Sequence, residues 1–465
     1  MNIQSKAFGC DDLNITLIQL CCPYIVPFIT HVINMCIETS YYPTCWKSAY
    51  ILPLPKVDQP SDFSHLRSIS ILPTISKILE KTLDLQVRSF LNRFNVLPPK
   101  QSGFRPGFSC DTAMSDVTDD ILQACDNSKV SALILLDFTK AFDMLNHSIL
   151  LSVLHYAGFG DKAIKLMKSF LTDRTQKVVV GDCFSDFLNV TTGVPQGSIL
   201  GPLLYTIYTL KFHESLKYCN YHLYADDTQI YCSFDNLDFN SVNTNINSDL
   251  NNIINIANDH QLKINPQKSS VILFGNETLK IQAQNFLNIS INNTAIPFKS
   301  VAKSLGLLVD SDLRFREHIK SKVKKAYCTL KLIYNHRHYL TKEIKRLLCD
   351  SLVLSHFNHC DVVYGPCIDG ADARRIQKVQ NSCLRLIYGI RRQQRISYFL
   401  RDAGWLNMHN RRRLHFASFC LKIYKNKCPS YLFQRVVLRC NIHNLNLRRN
   451  QPINIPRHRK EIYKR

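Results

Sequence analysis

The chain has 465 residues, too many for one small hydrophobic core, and this length indicates two or three subdomains. Hydrophobic residues make up 45% and charged residues 20%, a balance that indicates a globular chain and excludes wholesale disorder. Lys and Arg number 58 against 36 Asp and Glu, so the net charge of +22 indicates a polyanionic partner, nucleic acid before membrane. Composition does not decide between DNA and RNA.

A stretch without Asp, Glu, Lys or Arg runs from Leu13 to Ile37. A membrane-spanning helix needs about 20 mostly apolar residues, so length alone permits one. Polar residues interrupt the stretch, and Pro23 and Pro27 fall inside it. We therefore expect a bent helical segment packed on the body of the protein.

The 18 cysteines are scattered without a Cys-x-x-Cys pair, and no signal peptide begins at Met1. This pattern favours thiols in a reducing compartment. The cluster most similar to a metal site contains His356, His359, Cys360 and Cys367. It lacks the two spaced ligand pairs of a structural zinc site.

Two short strands and a long helix are predicted before residue 100. Trp46–Lys56 is typical of a strand ended by prolines, which interrupt the hydrogen bonding of a sheet. A second strand is predicted at Leu66–Leu72, and Pro73 opens an amphipathic helix. The apolar residues of this helix recur at spacings of three and four, which places one face on a core.

A buried strand is predicted to deliver an acid to a sheet edge. The glycine-containing loop Gln101–Ser109 leads to a helix over about Asp111–Cys125. The continuous apolar run Ser131–Leu136 then predicts a strand covered on both faces, and it ends at Asp137.

Two hairpins are predicted further along the chain. The first joins Lys177–Val180 to Phe187–Val190, and a glycine-rich loop, Gly193–Tyr205, follows it. The second lies within Tyr221–Tyr231, with the adjacent Asp226 and Asp227 at its tip, since two-residue turns favour Asp, Asn and Gly. From Glu317 onward the sequence predicts basic helices.

Three carboxylates are expected to meet, because the strand ending at Asp137 can lie beside the Asp226-Asp227 hairpin in one α+β domain. Such carboxylates repel one another unless divalent cations lie between them, and Mg²⁺ prefers oxygen ligands. Two ions would activate a 3′-hydroxyl and stabilise a leaving pyrophosphate, as nucleotidyl transfer requires. Taken alone, Asp137 is equally typical of a helix N-cap. The acidic pair Asp226-Asp227, taken alone, is typical of a surface turn.

Read in order, the motifs resemble the reverse transcriptase of non-LTR (LINE-type) retrotransposons, especially the jockey-like elements of animals. Each motif alone is weak to moderate, but the ordered set over about residues 45–320 is highly specific. The matching segments are LRSISILP (66–73), QSGFR (101–105), LDFTKAFD (136–143), GVPQGSILGP (193–202), YADD (224–227), NPQK (265–268) and LGLLVD (305–310).

The resemblance implies a right-hand polymerase fold with fingers, a palm with an antiparallel sheet and a helical thumb. It implies an RNA-directed DNA polymerase that extends a DNA primer on an RNA template with deoxynucleoside triphosphates and two Mg²⁺ ions, Mn²⁺ being an alternative. Action in the nucleus or the cytoplasm is expected. The domains expected are an N-terminal helical segment (1–44), fingers and palm (45–310), a basic helical thumb and C-terminal region (311–455) and a basic tail (456–465).

The same resemblance assigns the chemistry to particular residues. Asp137, Asp226 and Asp227 match the metal-binding acids, and Lys268 matches a lysine near the pyrophosphate that can donate a proton. Phe142 matches the aromatic gate beneath the sugar, where its bulk excludes a 2′-hydroxyl. A buried core aromatic is the competing interpretation of Phe142.

Further residues are expected to touch the nucleotide or the template. They are Lys56, Arg67, Gln196 and Gly197 for the nucleotide, and Gly103, Phe104 and Arg105 for the template. Arg67 would bind the triphosphate through forked hydrogen bonds, and glycine allows close backbone approach. Solvated surface charges and ordinary turns are the competing interpretations.

The sequence departs from the family pattern at Ser68, where proline is usual, at Ser304, where an aromatic residue is common, and at Phe315, where tryptophan is common. No endonuclease, Cys-Cys-His-Cys knuckle or ribonuclease H acidic set is recognisable, so the chain is interpretable as a fragment of a longer reading frame. An inactive descendant that only binds nucleic acid is the alternative hypothesis. A group II intron maturase fits the motifs less well.

Overall fold

The computed structural model describes residues 8–235 and 239–437, and helices and strands alternate through most of this part. The helices are α1 (Ile15–Leu20), α2 (Cys22–Thr39), α3 (Ser76–Arg93), α4 (Cys110–Asp126), α5 (His147–Tyr156), α6 (Asp161–Leu171), α7 (Leu200–Tyr208), α8 (Phe239–Asp259), α9 (Glu277–Phe286), α10 (Arg316–Asn335), α11 (Lys342–Leu348), α12 (Asp361–Tyr364), α13 (Gly370–Tyr388), α14 (Ser397–Asp402), α15 (Met408–Asn426) and α16 (Ser430–Phe433). The strands are β1 (Ser48–Pro55), β2 (Leu66–Ile71), β3 (Val130–Leu136), β4 (Arg174–Val180), β5 (Cys183–Phe184), β6 (Leu188–Val190), β7 (Asn220–Tyr224), β8 (Asp227–Phe234), β9 (Ser270–Phe274), β10 (Ser290–Ile291), β11 (Thr294–Ala295), β12 (Val301–Ser304) and β13 (Leu307–Asp310). This mixture is the α+β class that the sequence predicts.

The chain forms two compact units that alternate along the sequence. Unit 1 contains Met1–Pro98, Phe138–Lys217 and Asn252–Ile264. Unit 2 contains Pro99–Asp137, Tyr218–Asn251 and Asn265–Arg465. Each unit is therefore assembled from three separate stretches of chain. The sequence-based domain boundaries stay a prediction, and the expected basic tail lies outside the described residues.

Unit 1 contains a sheet in which β1 lies between β2 and β4. Strands β1 and β2 are antiparallel, with Leu54 opposite Arg67, whereas β1 and β4 are parallel. Strand β4 turns back at Gly181 and Asp182, as predicted, but it pairs there with β5. Strand β6 pairs with Arg174–Gln176 rather than with Lys177–Val180, so the predicted pairing of the hairpin is wrong. Residue Lys56 directly follows β1, so both basic residues expected at the nucleotide lie on this sheet or at its end.

Helix α3 shows why the apolar spacing is informative. Its core-facing residues Ile78, Leu79, Leu83, Val87 and Leu91 are all buried, so the predicted amphipathic face is confirmed. The helix begins at Ser76 rather than at Pro73, because Thr74 and Ile75 form a turn first. Helices α5, α6 and α7 pack into the same apolar core of unit 1.

The uncharged N-terminal stretch is helical and bent, as expected. It forms α1 and α2, which are separated at Cys21, and Pro27 lies inside α2. Helix α2 packs on α6, and its residues Ile33 and Cys36 are buried in the apolar core of unit 1. Across residues 8–235 and 239–437, no helix combines the length and apolarity that a bilayer crossing requires.

Unit 2 contains a four-stranded sheet in the order β7-β8-β3-β9, and each neighbouring pair is antiparallel. Strand β3 is central, and six of its seven residues are buried, which confirms the prediction of a strand covered on both faces. Helix α4 packs against β3. Helices α10 and α13 pack together in the large apolar core of this unit.

Candidate active site

Two neighbouring strands of unit 2 bring acidic residues to the same end of the sheet. Strand β3 ends at Leu136, directly before Asp137, and Leu136 lies opposite Thr228 of β8. Strand β8 begins with Asp227. The antiparallel register therefore places the end of β3 beside the start of β8, as the sequence predicted.

The expected position of the acidic pair at the hairpin tip is wrong by one residue. Tyr224 pairs with Asp227, so the tip consists of Ala225 and Asp226. Ala225 takes the left-handed conformation, with φ of +58°, that was expected of an acid. Asp227 is thus held by the sheet, whereas Asp226 projects from the turn.

The negative charges of Asp137, Asp226 and Asp227 repel one another. Partial burial, the charge of Asp226 and the charge of Asp137 raise the pKa of Asp227 to about 6. Asp227 is nevertheless in contact with solvent, and the side chain of Asp137 is 43% exposed. Three accessible carboxylates with an incomplete counter-charge form a strongly negative site.

The donor chemistry of this cluster fits divalent cations. Carboxylate oxygens are the ligands that hard ions such as Mg²⁺ prefer, and a cation would relieve the repulsion that raises the pKa of Asp227. The side chains are not pre-arranged as a cage, since the described residues contain no group of three or more His, Cys, Asp or Glu poised around an ion. The same holds for His356, His359, Cys360 and Cys367, where the Nε2 atom of His359 lies 2.8 Å from the carbonyl oxygen of Leu305.

A turn after residue 264 supports Asp137 through its backbone. The backbone NH of Asn265 donates to the carbonyl oxygen of Asp137 at 2.8 Å, and the backbone NH of Asp137 donates to Ser269 Oγ at 3.3 Å. The same turn carries Lys268, whose Nζ lies 4.0 Å from Asp137 Oδ2. The structure therefore brings Lys268 to the carboxylate cluster, with 70% of its side chain exposed.

The loop Gln101–Ser109, hereafter the Gln101 loop, is fastened to the hairpin β7–β8, hereafter the Asp226 hairpin. The backbone NH of Ser102 donates to the carbonyl oxygen of Leu223 at 2.8 Å. Gln101 Oε1 accepts from the backbone NH of Gly103 at 3.0 Å and from that of Ala225 at 3.4 Å. A Cβ on Gly103 would lie 2.4 Å from the Ala225 nitrogen. Only glycine allows this approach.

The other two residues expected at the template extend from the same loop. Phe104 is 43% exposed and has a φ of +58°. Arg105 donates to the carbonyl oxygen of Gln101 at 3.1 Å, and its guanidinium carbon lies 4.2 Å from the centroid of the Phe108 ring. The loop thus presents Phe104 to solvent and keeps Arg105 partly engaged with its own backbone.

The Pro-Gln-Gly loop is part of unit 1. Gln196 Nε2 donates to Asp143 Oδ1 at 2.7 Å, and the Gln196 carbonyl oxygen accepts from the backbone NH of Ser70 at 2.7 Å. Gly197 has a φ of +143°, and a Cβ there would lie 2.2 Å from the Ser70 carbonyl oxygen. The loop is therefore locked against β2 by its glycine. A cavity of about 330 Å³ beside it is lined partly by Ser68, Ser70 and Gln196.

The remaining residues of unit 1 that are expected to bind the nucleotide differ in how tightly their side chains are packed. The ring of Phe142 is partly buried and stacks on that of Tyr205, with 4.7 Å between centroids. Arg67 is exposed on β2. Lys56 Nζ, also exposed, donates to the Ser64 carbonyl oxygen at 3.0 Å. Phe142 is thus fixed by packing, while the two cations are accessible to an anion.

Several supporting residues were not singled out from the sequence. Glu80 is fully buried in α3, and its carboxylate accepts from the backbone NH groups of Ile199, at 2.7 Å, and Leu200, where α7 begins. Burial raises the pKa of Glu80. No local pattern links residues 80 and 199, whereas Asp143, the partner of Gln196, lies in the same motif as Asp137 and was detectable there.

Comparison with known proteins gives three results. The family described as reverse transcriptase (RNA-dependent DNA polymerase) matches residues 54–307, more than half of the 465-residue chain. A probable RNA-directed DNA polymerase from transposon BS of Drosophila melanogaster is 29% identical over 382 residues, which cover 77% of this chain and 40% of that protein. The RNA-directed DNA polymerase from mobile element jockey of the same fly is 27% identical over 332 residues, covering 70% and 35%.

The chain thus spans about two fifths of the length of these relatives. Among solved structures, telomerase from Candida albicans aligns with a TM-score of 0.40 at 12% identity, covering 78% of this chain and 66% of that chain.

Proposed function

The chain belongs to the reverse transcriptase family, and we propose that it is the RNA-directed DNA polymerase of a non-LTR retrotransposon, extending a DNA primer on an RNA template. The observation that carries the proposal is the meeting of β3 and β8, which crowds Asp137, Asp226 and Asp227 at one end of a sheet. Few structural needs explain three mutually repelling, accessible carboxylates. A site that binds cations and phosphates does.

Asp137, Asp226 and Asp227 are proposed to hold two Mg²⁺ ions. When bound, such ions supply Lewis-acid activation of a 3′-hydroxyl and charge neutralisation at a triphosphate. The chain's own contribution is to fix the donors: the sheet register holds Asp137 and Asp227, and the turn at Asn265 holds the backbone of Asp137. Lys268, exposed beside Asp137, is proposed to donate a proton to the leaving pyrophosphate.

The nucleotide is proposed to be recognised by residues of unit 1. Arg67 and Lys56 are accessible cations for the triphosphate, and Gln196 and Gly197 form a rigid loop for the base and template. Phe142, fixed against Tyr205, is the proposed barrier to a 2′-hydroxyl. In unit 2, the Gln101 loop with Gly103, Phe104 and Arg105 is proposed to contact the template.

Primer extension on an RNA template with the purified chain tests the proposal. We expect deoxynucleotide addition that requires Mg²⁺ or Mn²⁺, and a loss of at least about 100-fold on Asp226→Asn. Asp235→Asn is the matched control, because Asp235 is exposed just beyond the other end of β8 and pairs with Lys129. Undiminished extension by Asp226→Asn would refute the metal role. Wild-type protein that binds RNA but never extends a primer would favour the binding-only alternative.

The proposed sugar gate has a separate test. Phe142→Ala removes the ring that is proposed to exclude a 2′-hydroxyl and that stacks on Tyr205. The ratio of ribonucleotide to deoxynucleotide incorporation is therefore expected to rise about tenfold or more. Phe187→Ala, which removes an exposed ring of unit 1, is the control. An unchanged ratio for Phe142→Ala assigns this ring to the core alone.

A further inference from the structure

A buried chain of hydrogen bonds lies beneath the Gln101 loop. Ser102 Oγ lies 2.8 Å from His222 Nε2, and His222 Nδ1 lies 3.3 Å from Asp116 Oδ2. The three residues are at most 1% exposed. Burial lowers the pKa of His222, so the ring is neutral. Because a carboxylate only accepts, Nδ1 carries the hydrogen and Ser102 donates to Nε2.

This Ser-His-Asp order is that of an acyl-transfer triad, but its setting excludes that chemistry. The three residues are closed to substrate, and Ser102 Oγ also lies 2.9 Å from the hydroxyl of Tyr431. Since Ser102 donates its hydrogen to His222, its oxygen accepts from Tyr431. The arrangement is a relay of fixed direction that starts at Tyr431, in α16, and ends at Asp116, in α4.

Arg435, one turn beyond Tyr431, reaches the same helix α4. Its guanidinium bonds to three carboxylates: Asp116 Oδ1 at 2.5 Å, Asp120 Oδ1 at 2.7 Å, and Asp119. These acids lie on one face of α4, at spacings of three and four residues, where like charges repel. Burial alone would raise the pKa of Asp116, but His222, Lys100 and Arg435 hold it at about 2.

Lys100 closes the network at the start of the Gln101 loop. Its Nζ lies 2.9 Å from Asp116 Oδ2 and donates to the Tyr231 hydroxyl at 3.1 Å, and that hydroxyl donates to Asp120 Oδ2 at 2.6 Å. Tyr231 belongs to β8, the strand that begins with Asp227. Charges from the C-terminal segment, from α4 and from the residue before the loop therefore meet in one place.

The hydrogen-bond network is connected to the backbone of the Asp226 hairpin. His222 lies on β7, four residues before Asp226, and the carbonyl oxygen of the next residue, Leu223, accepts from the backbone NH of Ser102 in the Gln101 loop. The backbone NH of Leu223 donates to the Lys100 carbonyl oxygen at 2.9 Å. Tyr431 and Arg435 are thus connected, through packed and hydrogen-bonded groups, to the strand that leads to the turn carrying Asp226.

We propose that Tyr431 and Arg435, hereafter the C-terminal clamp, are positioning residues that hold the Gln101 loop and the Asp226 hairpin in the arrangement needed for nucleotidyl transfer. The inference rests on the proposed function for its catalytic readout. It assigns a role in the active site to a segment about 200 residues beyond the catalytic turn, and it has a readout that does not need catalysis.

Two conservative variants test the clamp. Tyr431→Phe keeps the ring against Phe108 and His222 but removes the hydroxyl that donates to Ser102. Arg435→Lys keeps the charge but replaces the planar guanidinium, with its five donors, by a compact ammonium that lacks the fork geometry facing the three carboxylates. The controls are Tyr424→Phe and Arg413→Ala, which change exposed residues of α15. If Arg435 only adds positive charge for nucleic acid, Arg435→Lys behaves as wild type because the charge is kept, and that result overturns the positioning role of Arg435.

The first readout is amide hydrogen exchange in full-length protein without nucleotide or metal. We expect exchange at Leu223 and Ala225 to accelerate about fivefold to tenfold in both clamp variants, because losing one such hydrogen bond shifts an opening equilibrium by this factor. The controls are expected to match wild type. Unchanged exchange at both amides in a folded clamp variant overturns the proposal. If Arg435→Lys does not fold, Tyr431→Phe alone decides.

The second readout separates positioning from general weakening. Primer extension by the clamp variants is expected to show a kcat lowered about tenfold and a higher Mg²⁺ concentration for half-maximal rate, with KM for the nucleotide unchanged. A rise in nucleotide KM at unchanged kcat overturns the positioning role. Wild-type protein that extends no primer defeats the proposed function, while the exchange measurement still decides the clamp.

Discussion

Asp227 is the residue at which folding and the proposed catalysis oppose each other. Its pKa of about 6, raised by partial burial and by Asp226 and Asp137, exceeds the ordinary value of 3.8. The folded state therefore binds this proton more tightly than the unfolded chain does. The stabilising contribution of the protonated group is complete below about pH 4 and is lost as the pH rises through 6.

Asp227→Asn is accordingly expected to raise the melting temperature in metal-free buffer at pH 7.5. The gain is about 1 kcal/mol, or about 2 °C, after discounting for the solvent contact of Asp227. The difference is expected to disappear near pH 4 and to shrink when Mg²⁺ is added to wild type. Calorimetry with Asp235→Asn as control checks this, and equal melting temperatures of Asp227→Asn and wild type at pH 7.5 would contradict it.

At the scale of elements, the Gln101 loop and the Asp226 hairpin meet backbone to backbone. The strands predicted at β1 and β3 were correct because terminating prolines and a continuous apolar run are local signals. The hairpin tip was shifted because Ala225, not an acid, adopts the left-handed conformation, and its NH is held by Gln101, 124 residues away. A contact this distant leaves no mark in the local pattern.

Gly103→Ala tests whether this contact sets the hairpin position. The added methyl would lie 2.4 Å from the Ala225 nitrogen, so the loop or the hairpin must shift. We expect kcat for primer extension to fall about 100-fold, the usual effect of a displacement near 1 Å. Gly160→Ala is the control, because its Cβ meets nothing within 4 Å. Equal activity of the two variants would show that the hairpin tolerates the shift.

At the scale of the whole molecule, the net charge of +22 indicates the class of partner by itself. Charge and ordered motifs together indicate the reverse transcriptase family and the three candidate carboxylates. They do not indicate that each unit consists of three separate stretches, nor that Glu80 caps α7 or Arg435 binds α4. Such pairings depend on tertiary packing between residues that are far apart in the sequence. No local pattern connects the two partners, so the contacts cannot be predicted from one sequence.

The same charge predicts strongly salt-dependent binding to an RNA–DNA duplex. If about five phosphates are contacted, the logarithm of the association constant falls with the logarithm of salt with a slope of about −4. The double variant Lys324→Ala, Lys325→Ala, on exposed positions of α10, is expected to reduce this slope by about 1–2, or about one phosphate per lysine. Lys162→Ala, Lys165→Ala on α6 is the control pair, and identical slopes for the two would contradict a thumb role for α10.

The C-terminal clamp also has a consequence in time. Asp116 and Arg435 are 319 residues apart, so a ribosome adding about 5–20 residues per second completes the pair roughly 15–60 s after α4 has been made. Throughout that interval the acids of α4 lack the arginine that joins them. If the clamp acts as proposed, a nascent chain reaches full polymerase activity only when translation has passed residue 435. Chains stalled on the ribosome with residue 425 or residue 437 outside the tunnel would show it, since the longer chain should extend a primer at least about tenfold faster.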